Sequence, residues 1–286
     1  MTHYRRNVIV TGASGIIGAA IVDVLARAGF TVIAVARSPA AASADNVRPL
    51  RVDRYEDLAA MPDLLEQTRT IFHFADRADR KMYDVANRGE AADLMKTLAN
   101  AAVDAGVRGI VLASSIYADR PNRSAYGWSK QAAEQVLAER ASKFRVAISL
   151  RLPPVYGHGS RGMFASLAKH IAAGHPLPLG AATAPRRFLG IENLGDLTHL
   201  LARSETPLRG VYAPADPEPI NLAALSSLIG SAVGRGARLV PVPFIDLLSR
   251  DTIVDAAVAR QQRLALEADL GWRPRHTTAE QLGYLS

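Results

Sequence analysis

With 286 residues, 49% of them hydrophobic and 21% charged, the chain has the makeup of a folded protein with a large core, not of a disordered or collagenous one. No apolar run reaches the roughly 20 residues that a membrane span needs, and the absence of cysteine excludes disulfides and thiolate catalysis. The net charge of +7 raises nucleic acid as a partner, but the arginines are scattered, with short pairs at Arg5-Arg6 and Arg186-Arg187 and few aromatics between them. A basic cleft for a phosphorylated small molecule accounts for the charge instead, so neither nucleic acid nor a membrane is expected as a partner. The seven histidines lack ligand spacing, and no metal site is expected. MTHYRRN leads straight into a strand pattern rather than a signal-peptide core, which points to the cytoplasm.

Asn7 to Val10 is a short β-branched run that predicts a first strand, followed by the turn TGASGIIG. A helix is predicted from about Ile17 to Ala28, stopped by Gly29. Phe30 to Val35 predicts a second strand. Leu50 to Asp53 and Ile71 to Phe74 predict the third and fourth, with helical stretches between. A long helix covers about Ala91 to Ala105 and is closed by Gly106. Its core stripe is expected at Leu94, Leu98, Ala101 and Ala102, leaving Met95 and Ala99 partly spare. Gly109 to Ala113 predicts a fifth strand, leading into Ser114-Ser115. Tyr126 to about Ser142 predicts a helix on which Ala132, Ala133, Val136 and Leu137 spread wider than one stripe. Val146 to Leu152 predicts a sixth strand, ended by Pro153-Pro154. This alternation means an α/β fold with a doubly wound parallel sheet covered on both faces. After Tyr156 the rhythm changes, glycine and proline become frequent, and the strands shorten. That half reads as a smaller C-terminal lobe.

Gly12, Gly15 and Gly18 sit directly after a strand and directly before a helix. A tight turn, close backbone approach to a pyrophosphate and helix-on-strand packing each require one of these glycines, and the helix start supplies N–H groups and positive dipole. The turn residues Gly12, Ser14, Gly15, Ile16, Ile17 and Gly18 are therefore expected to hold a dinucleotide in a Rossmann-type fold. The end of strand two, where an acidic residue would hold a ribose 2′-OH, reads Ala36-Arg37-Ser38. Arg37 and Ser38 suit a 2′-phosphate, so NADP(H) is favoured. If Arg37 only stacks on adenine, NAD(H) is the alternative.

Tyr126 and Lys130 in YGWSK are four apart, one above the other on a helix face. They follow a strand that ends in two serines at the carboxyl edge, where such sheets bind ligands. A phenol has a reference pKa near 10 and is a poor acid or base at neutral pH. A neighbouring ammonium favours phenolate, so Tyr126 can exchange a proton as hydride moves. Lys130 also reaches toward a nicotinamide ribose, and Ser115, with Ser114 as the alternative, would hold the reacting oxygen.

Together these stretches resemble the extended short-chain dehydrogenase/reductases, the NAD-dependent epimerase/dehydratase family of nucleotide-sugar enzymes. The matching pieces are TGASGIIG, Asp53, IFHFAD in place of the usual VIHLAA, Asn87, LASS, YGWSK, LRLPPVYGHG, PLPLG, RRFLGIENLGDL and DLGW. The resemblance implies a dinucleotide-binding domain over 1–155, with a return to the sheet at about 191–213. It makes 156–286 mainly a substrate-binding lobe. It also implies that Asp53 contacts adenine, that Ala75 and the Pro154-Val155 turn flank the nicotinamide, and that Arg186 grips the substrate pyrophosphate.

Some positions depart from the family. The loop from Ser115 to Tyr126 is short, Ile116-Tyr117 replace the Asp-Glu pair of dehydratases, and Pro154 replaces an asparagine of sugar epimerases. The expected activity is hydride transfer at C4 of a nucleotide-activated sugar, as a 4-keto reductase or 4-epimerase. The alternatives are an NADPH-dependent reductase of a small non-sugar carbonyl compound, or a non-catalytic dinucleotide-binding protein. A homodimer is expected through the two alanine-rich helices.

Overall fold

The computed structural model describes residues 7–38, 44–76, 82–157, 159, 162–246 and 256–283, without the side chains of 256–259 and 283. Arg5, Arg6, His3 and His158 lie outside the described residues. In chain order come β1 (Asn7–Thr11), α1 (Ile16–Arg27), β2 (Thr31–Ala36), β3 (Val47–Arg51), α2 (Pro62–Glu66), β4 (Thr68–His73) and α3 (Glu90–Asp104). Next are β5 (Gly109–Ser115), α4 (Ala125–Arg140), β6 (Val146–Leu152), β7 (Val155–Tyr156), α5 (Met163–Ala172), β8 (Pro176–Leu177) and β9 (Leu189–Gly190). The chain ends with α6 (Ile191–Arg203), β10 (Leu208–Tyr212), α7 (Leu222–Ala232), β11 (Arg238–Leu239), α8 (Ala256–Leu270) and α9 (Thr278–Gly283). Two compact units result, Met1–Arg151 with Gly195–Tyr212 and Leu152–Leu194 with Ala213–Ser286. Among the described residues no helix is long and apolar enough to cross a membrane.

In the first unit, seven strands among the described residues form one sheet in the order β10-β6-β5-β4-β1-β2-β3. The pairings of β1 with β2 and β4, β2 with β3, β4 with β5, and β6 with β10 are all parallel. The winding reverses between β1 and β4, and the crevice at such a reversal is where open α/β sheets take ligands. β4 is buried along its length and β1 from Val8 to Thr11 because helices cover both faces of the sheet, even though β4 carries Thr68, Arg69, Thr70 and His73. β3 begins at Val47 rather than Leu50. It is an edge strand whose Arg48, Pro49 and Arg51 face outward, so no continuous apolar run marks it.

The core stripe of α3 also differs from the expected one. Met95, Leu98, Ala99 and Ala102 are buried, while Leu94 and Ala101 are half-buried. Both sets repeat at helical spacing, and packing against the sheet and α4 selects the stripe around Met95. That stripe joins Ile9, Ile71, Ile110, Ala133, Leu137 and Phe144 in one cluster.

In the second unit β7 pairs with β9 and β8 with β11, both parallel. Tyr156, Phe164, Leu167, Phe188, Leu225 and Ile229 make a separate small core. Beside it the buried Asp216 carboxylate accepts from Asn193 at 2.7 Å, the Gly190 N–H at 2.9 Å, Thr278 at 3.0 Å and Gln281 at 3.1 Å. Tyr156 also donates to it. Burial and the Asp216 charge together push the Tyr156 phenol far above its usual pKa, so it stays a donor.

Candidate active site

The glycine turn is shaped by what lies against it. Gly12 has φ +72°, and a Cβ there would stand 2.8 Å from the Ala75 nitrogen. Only glycine allows the chain leaving β1 to pass so close under the chain leaving β4. Thr11 fixes the same crossing. Its hydroxyl is 2.9 Å from His73 Nδ1 and accepts from the Ala75 N–H at 3.2 Å. A Cβ on Gly18 would lie 2.1 Å from the Gly12 carbonyl oxygen, which forces glycine where α1 packs on the turn. Gly15 caps α1 without any side-chain hydrogen bond. Ser14 and Gly15 are exposed and Ile16 and Ile17 half-buried.

At the end of β2, Ser38 donates to Ser14 at 3.0 Å, tying that strand to the turn. Arg37 is exposed, with its guanidinium carbon 5.8 Å from the centre of the Tyr55 ring. Asp53 is exposed just after β3.

The proton-handling groups gather at the carboxyl end of β5. Ser114 and Ser115 are both buried but face opposite ways, as neighbours in a strand must. Ser114 donates to Glu134, and Glu134 takes the Arg151 guanidinium through contacts of 2.6, 3.0 and 3.2 Å. Ser115 instead accepts from the Tyr117 N–H at 3.4 Å and lowers the pKa of the nearby Tyr126 phenol. Ser124 caps α4 by accepting from the Gly127 N–H at 3.0 Å. A Cβ on Gly127 would stand 2.5 Å from the Tyr117 carbonyl oxygen, so this glycine lets α4 start against the turn at Ile116–Asp119.

Tyr126 is flanked edge-on by Tyr83 and Tyr117, with ring centres 5.2 and 5.9 Å away. The Lys130 ammonium lies 5.8 Å from the centre of the Tyr126 ring and donates to the Ala113 carbonyl at 3.0 Å. It also pairs with Asp76 at 2.7 Å.

These contacts set the protonation states. Burial raises the Tyr126 pKa above 10, and the charge of Lys130 opposes it. Burial works against the Lys130 ammonium, yet Asp76 and the Tyr126 phenol more than offset this and raise its pKa. His73 is pushed down to about 4 by burial and then by the Lys130 charge, so its ring is neutral.

The first unit thus brings together Gly12, Ser14, Gly15, Ile16, Ile17, Gly18 and Ala75 in one region of the fold, and Ser115, Tyr126 and Lys130 in a connected group. Sequence reasoning missed Asp76, Tyr83 and the Glu134–Arg151 pair. An acidic residue in IFHFAD was the one available signal. Pro154, Val155 and Arg186 belong to the second unit. The Pro154 carbonyl accepts from the Leu189 N–H at 3.2 Å, and Val155 is half-buried on β7. Arg186 is 1% exposed and pairs with Asp246 at 2.9 Å. Burial opposes charge on Asp246, but the Ala184 N–H and the Arg186 guanidinium hold its pKa below the usual value. A cavity of about 220 Å³ in this unit is walled in part by Arg187, Arg260, Arg263 and Trp272.

The turn fits the pyrophosphate of a dinucleotide. A Cβ is excluded at Gly12 and Gly18, and the helix behind the turn is capped by a residue with no competing side chain. A model of the NAD dependent epimerase/dehydratase family matches residues 8–212. The chain is 26% identical to the UDP-glucose 4-epimerase of Vibrio cholerae over 312 residues, covering 96% of this chain and 93% of that one. Among solved structures it is similar to the UDP-glucose 4-epimerase of Thermotoga maritima with UDP-glucose. The identity is 21% and the TM-score 0.74, with 98% and 97% of the two chains covered. It is also similar to Bordetella bronchiseptica WbmF in complex with NAD+, at 20% identity and TM-score 0.79, covering 100% and 92%.

Proposed function

The chain belongs to the NAD dependent epimerase/dehydratase family, and on that premise we propose that it exchanges a hydride and a proton at C4 of a nucleotide-activated sugar. Ser115, Tyr126 and Lys130 are the catalytic residues in this proposal. The observation that carries it is the Tyr126 phenol, one helical turn from the buried Lys130, whose ammonium lies 5.8 Å from the ring centre, beside the buried Ser115 at the end of β5. Similarity to a UDP-glucose 4-epimerase along 96% of the chain supports the substrate class.

Gly12, Ser14, Gly15, Ile16, Ile17 and Gly18 would hold the dinucleotide phosphates, with Asp53, Arg37 and Ser38 at its adenosine end and Ala75 and Lys130 at its nicotinamide end. The bound cofactor supplies a hydride donor or acceptor. Ser115 orients the reacting oxygen and Tyr126 moves its proton. A phenol held protonated by burial is ready to donate to a carbonyl oxygen. That state suits the reducing half-reaction, which a 4-keto reductase and a 4-epimerase share.

Arg37, exposed where an acidic residue would select NAD(H), favours NADP(H) and hence a cofactor that leaves between turnovers. The same proposal places the enzyme in the cytoplasm as a homodimer. The test combines two measurements: the dinucleotide that copurifies, and conversion of UDP-hexoses and 4-keto-hexose nucleotides followed by NMR. Tightly held NAD with interconversion of C4 epimers identifies an epimerase. An empty site that takes NADPH and reduces the keto sugar identifies a reductase. A protein that binds dinucleotide but turns over none of these substrates rules out the proposed function.

A further inference from the structure

Asp76 follows Ala75 directly, where the resembled VIHLAA pattern has a second alanine. Its carboxylate lies 2.7 Å from the Lys130 ammonium, and the side chains are 25% and 7% exposed respectively. The Tyr83 hydroxyl donates to the same carboxylate, and the Tyr83 ring lies edge-on to Tyr126. Asp76 therefore touches the lysine directly and the phenol's wall through Tyr83.

We propose that Asp76 is a positioning residue of the Tyr126–Lys130 pair, clamping the ammonium and taking up charge that would otherwise stabilise the phenolate. A carboxylate in this place opposes phenolate twice. It repels the developing negative charge, and it neutralises the ammonium that would offset that charge. Among the described residues, the other groups facing Tyr126 are Lys130 on α4, Ser115 at the end of β5, Tyr117 in the turn after it and Tyr83 ahead of α3. Glu134 acts on Lys130 from α4, while the buried His73 on β4 senses Lys130, Asp76 and Glu56.

Burial has the largest influence on the phenol and raises its pKa. Asp76 adds to that direction, while Lys130 and Ser115 oppose it. The consequence is a site tuned toward proton donation, the reducing direction. The inference rests on Tyr126 being the proton-transfer group, but its test does not need turnover.

The experiment is a tyrosinate absorbance titration of the full chain without cofactor or substrate. Subtracting the Tyr126→Phe variant isolates one signal among the eight tyrosines. Asp76→Asn, measured against the Asp76→Asn/Tyr126→Phe double variant, should lower the Tyr126 midpoint by about one pH unit. Asp76→Glu should restore it toward the wild-type value. Asp76→Ser gives the same readout with a smaller side chain if the asparagine variant does not fold. An unchanged midpoint in the folded variants overturns the proposal. Failure of the proposed function would look different, as absent turnover with the midpoint shift intact.

Discussion

The Ser114 hydroxyl donates to the Glu134 carboxylate, and this contact holds Ser114 on the face of β5 opposite to Ser115, which accepts from the Tyr117 N–H. In the proposed function the two adjacent serines have separate tasks. Ser115→Ala should lower kcat about a hundredfold, the scale of losing one donor to a reacting oxygen, while leaving the unfolding midpoint nearly unchanged. Ser114→Ala should keep most of the turnover but cost about 1–2 kcal/mol of stability, because the buried Glu134 loses a donor. Steady-state kinetics and urea unfolding on both variants check this. The opposite pattern would exchange their roles.

Tyr126→Phe should keep dinucleotide affinity within about twofold and lower turnover by about 10²–10⁴, because only the proton-transfer oxygen is removed. Fluorescence titration of the dinucleotide and a turnover assay separate the two effects. Near-normal turnover would sink the catalytic assignment.

In the proposed function the exposed Arg37 just after β2 selects the cofactor. Loss of an arginine–phosphate contact costs about 1.5–3 kcal/mol, or roughly ten- to a hundredfold in affinity. Arg37→Ala should therefore weaken NADPH by that factor and NADH little. Equal losses in calorimetric titrations of the two would remove the NADP preference and leave a site that holds NAD.

His73 gives the fold a pH dependence. Its pKa falls from 6.5 to about 4 on folding because burial penalises the charged ring, followed by the charge of Lys130. The unfolded chain therefore binds the proton first as pH drops. Its stabilising contribution is full above pH 6.5 and declines through the window from 6.5 down to about 4. The loss is about 3 kcal/mol. His73→Gln, which cannot be protonated, should show a flatter stability profile across that window. Parallel profiles for the two proteins would contradict a neutral buried ring.

The homodimer expected from α3 and α4 is checked by light scattering at micromolar concentration. Leu94, Ala101 and Val136 remain half-buried on these helices, and such a patch closes into a twofold pair when it meets its own copy. The mass should be about twice the chain mass of 30.6 kDa, and Leu94→Lys should lower it. A mass of 30.6 kDa that does not rise with concentration excludes the dimer.

Much of the first unit was legible in the sequence because its signals are local. β-Branched runs, three glycines between a strand and a helix, and a tyrosine four residues from a lysine act over one or two turns of chain, and the parallel sheet follows from their alternation. What the sequence left open depends on groups far apart along the chain. That Ser114 donates to Glu134, itself paired with Arg151, came into view only with the fold. Met95 and Leu94 head two stripes of equal periodicity on α3, and only packing against the sheet and α4 chooses between them. Edge exposure hid the start of β3, since an outward-facing strand needs no apolar run. The Asp76–Lys130 and Arg186–Asp246 pairs join residues with no shared local pattern, because a charge finds its partner through space and burial makes that partner necessary.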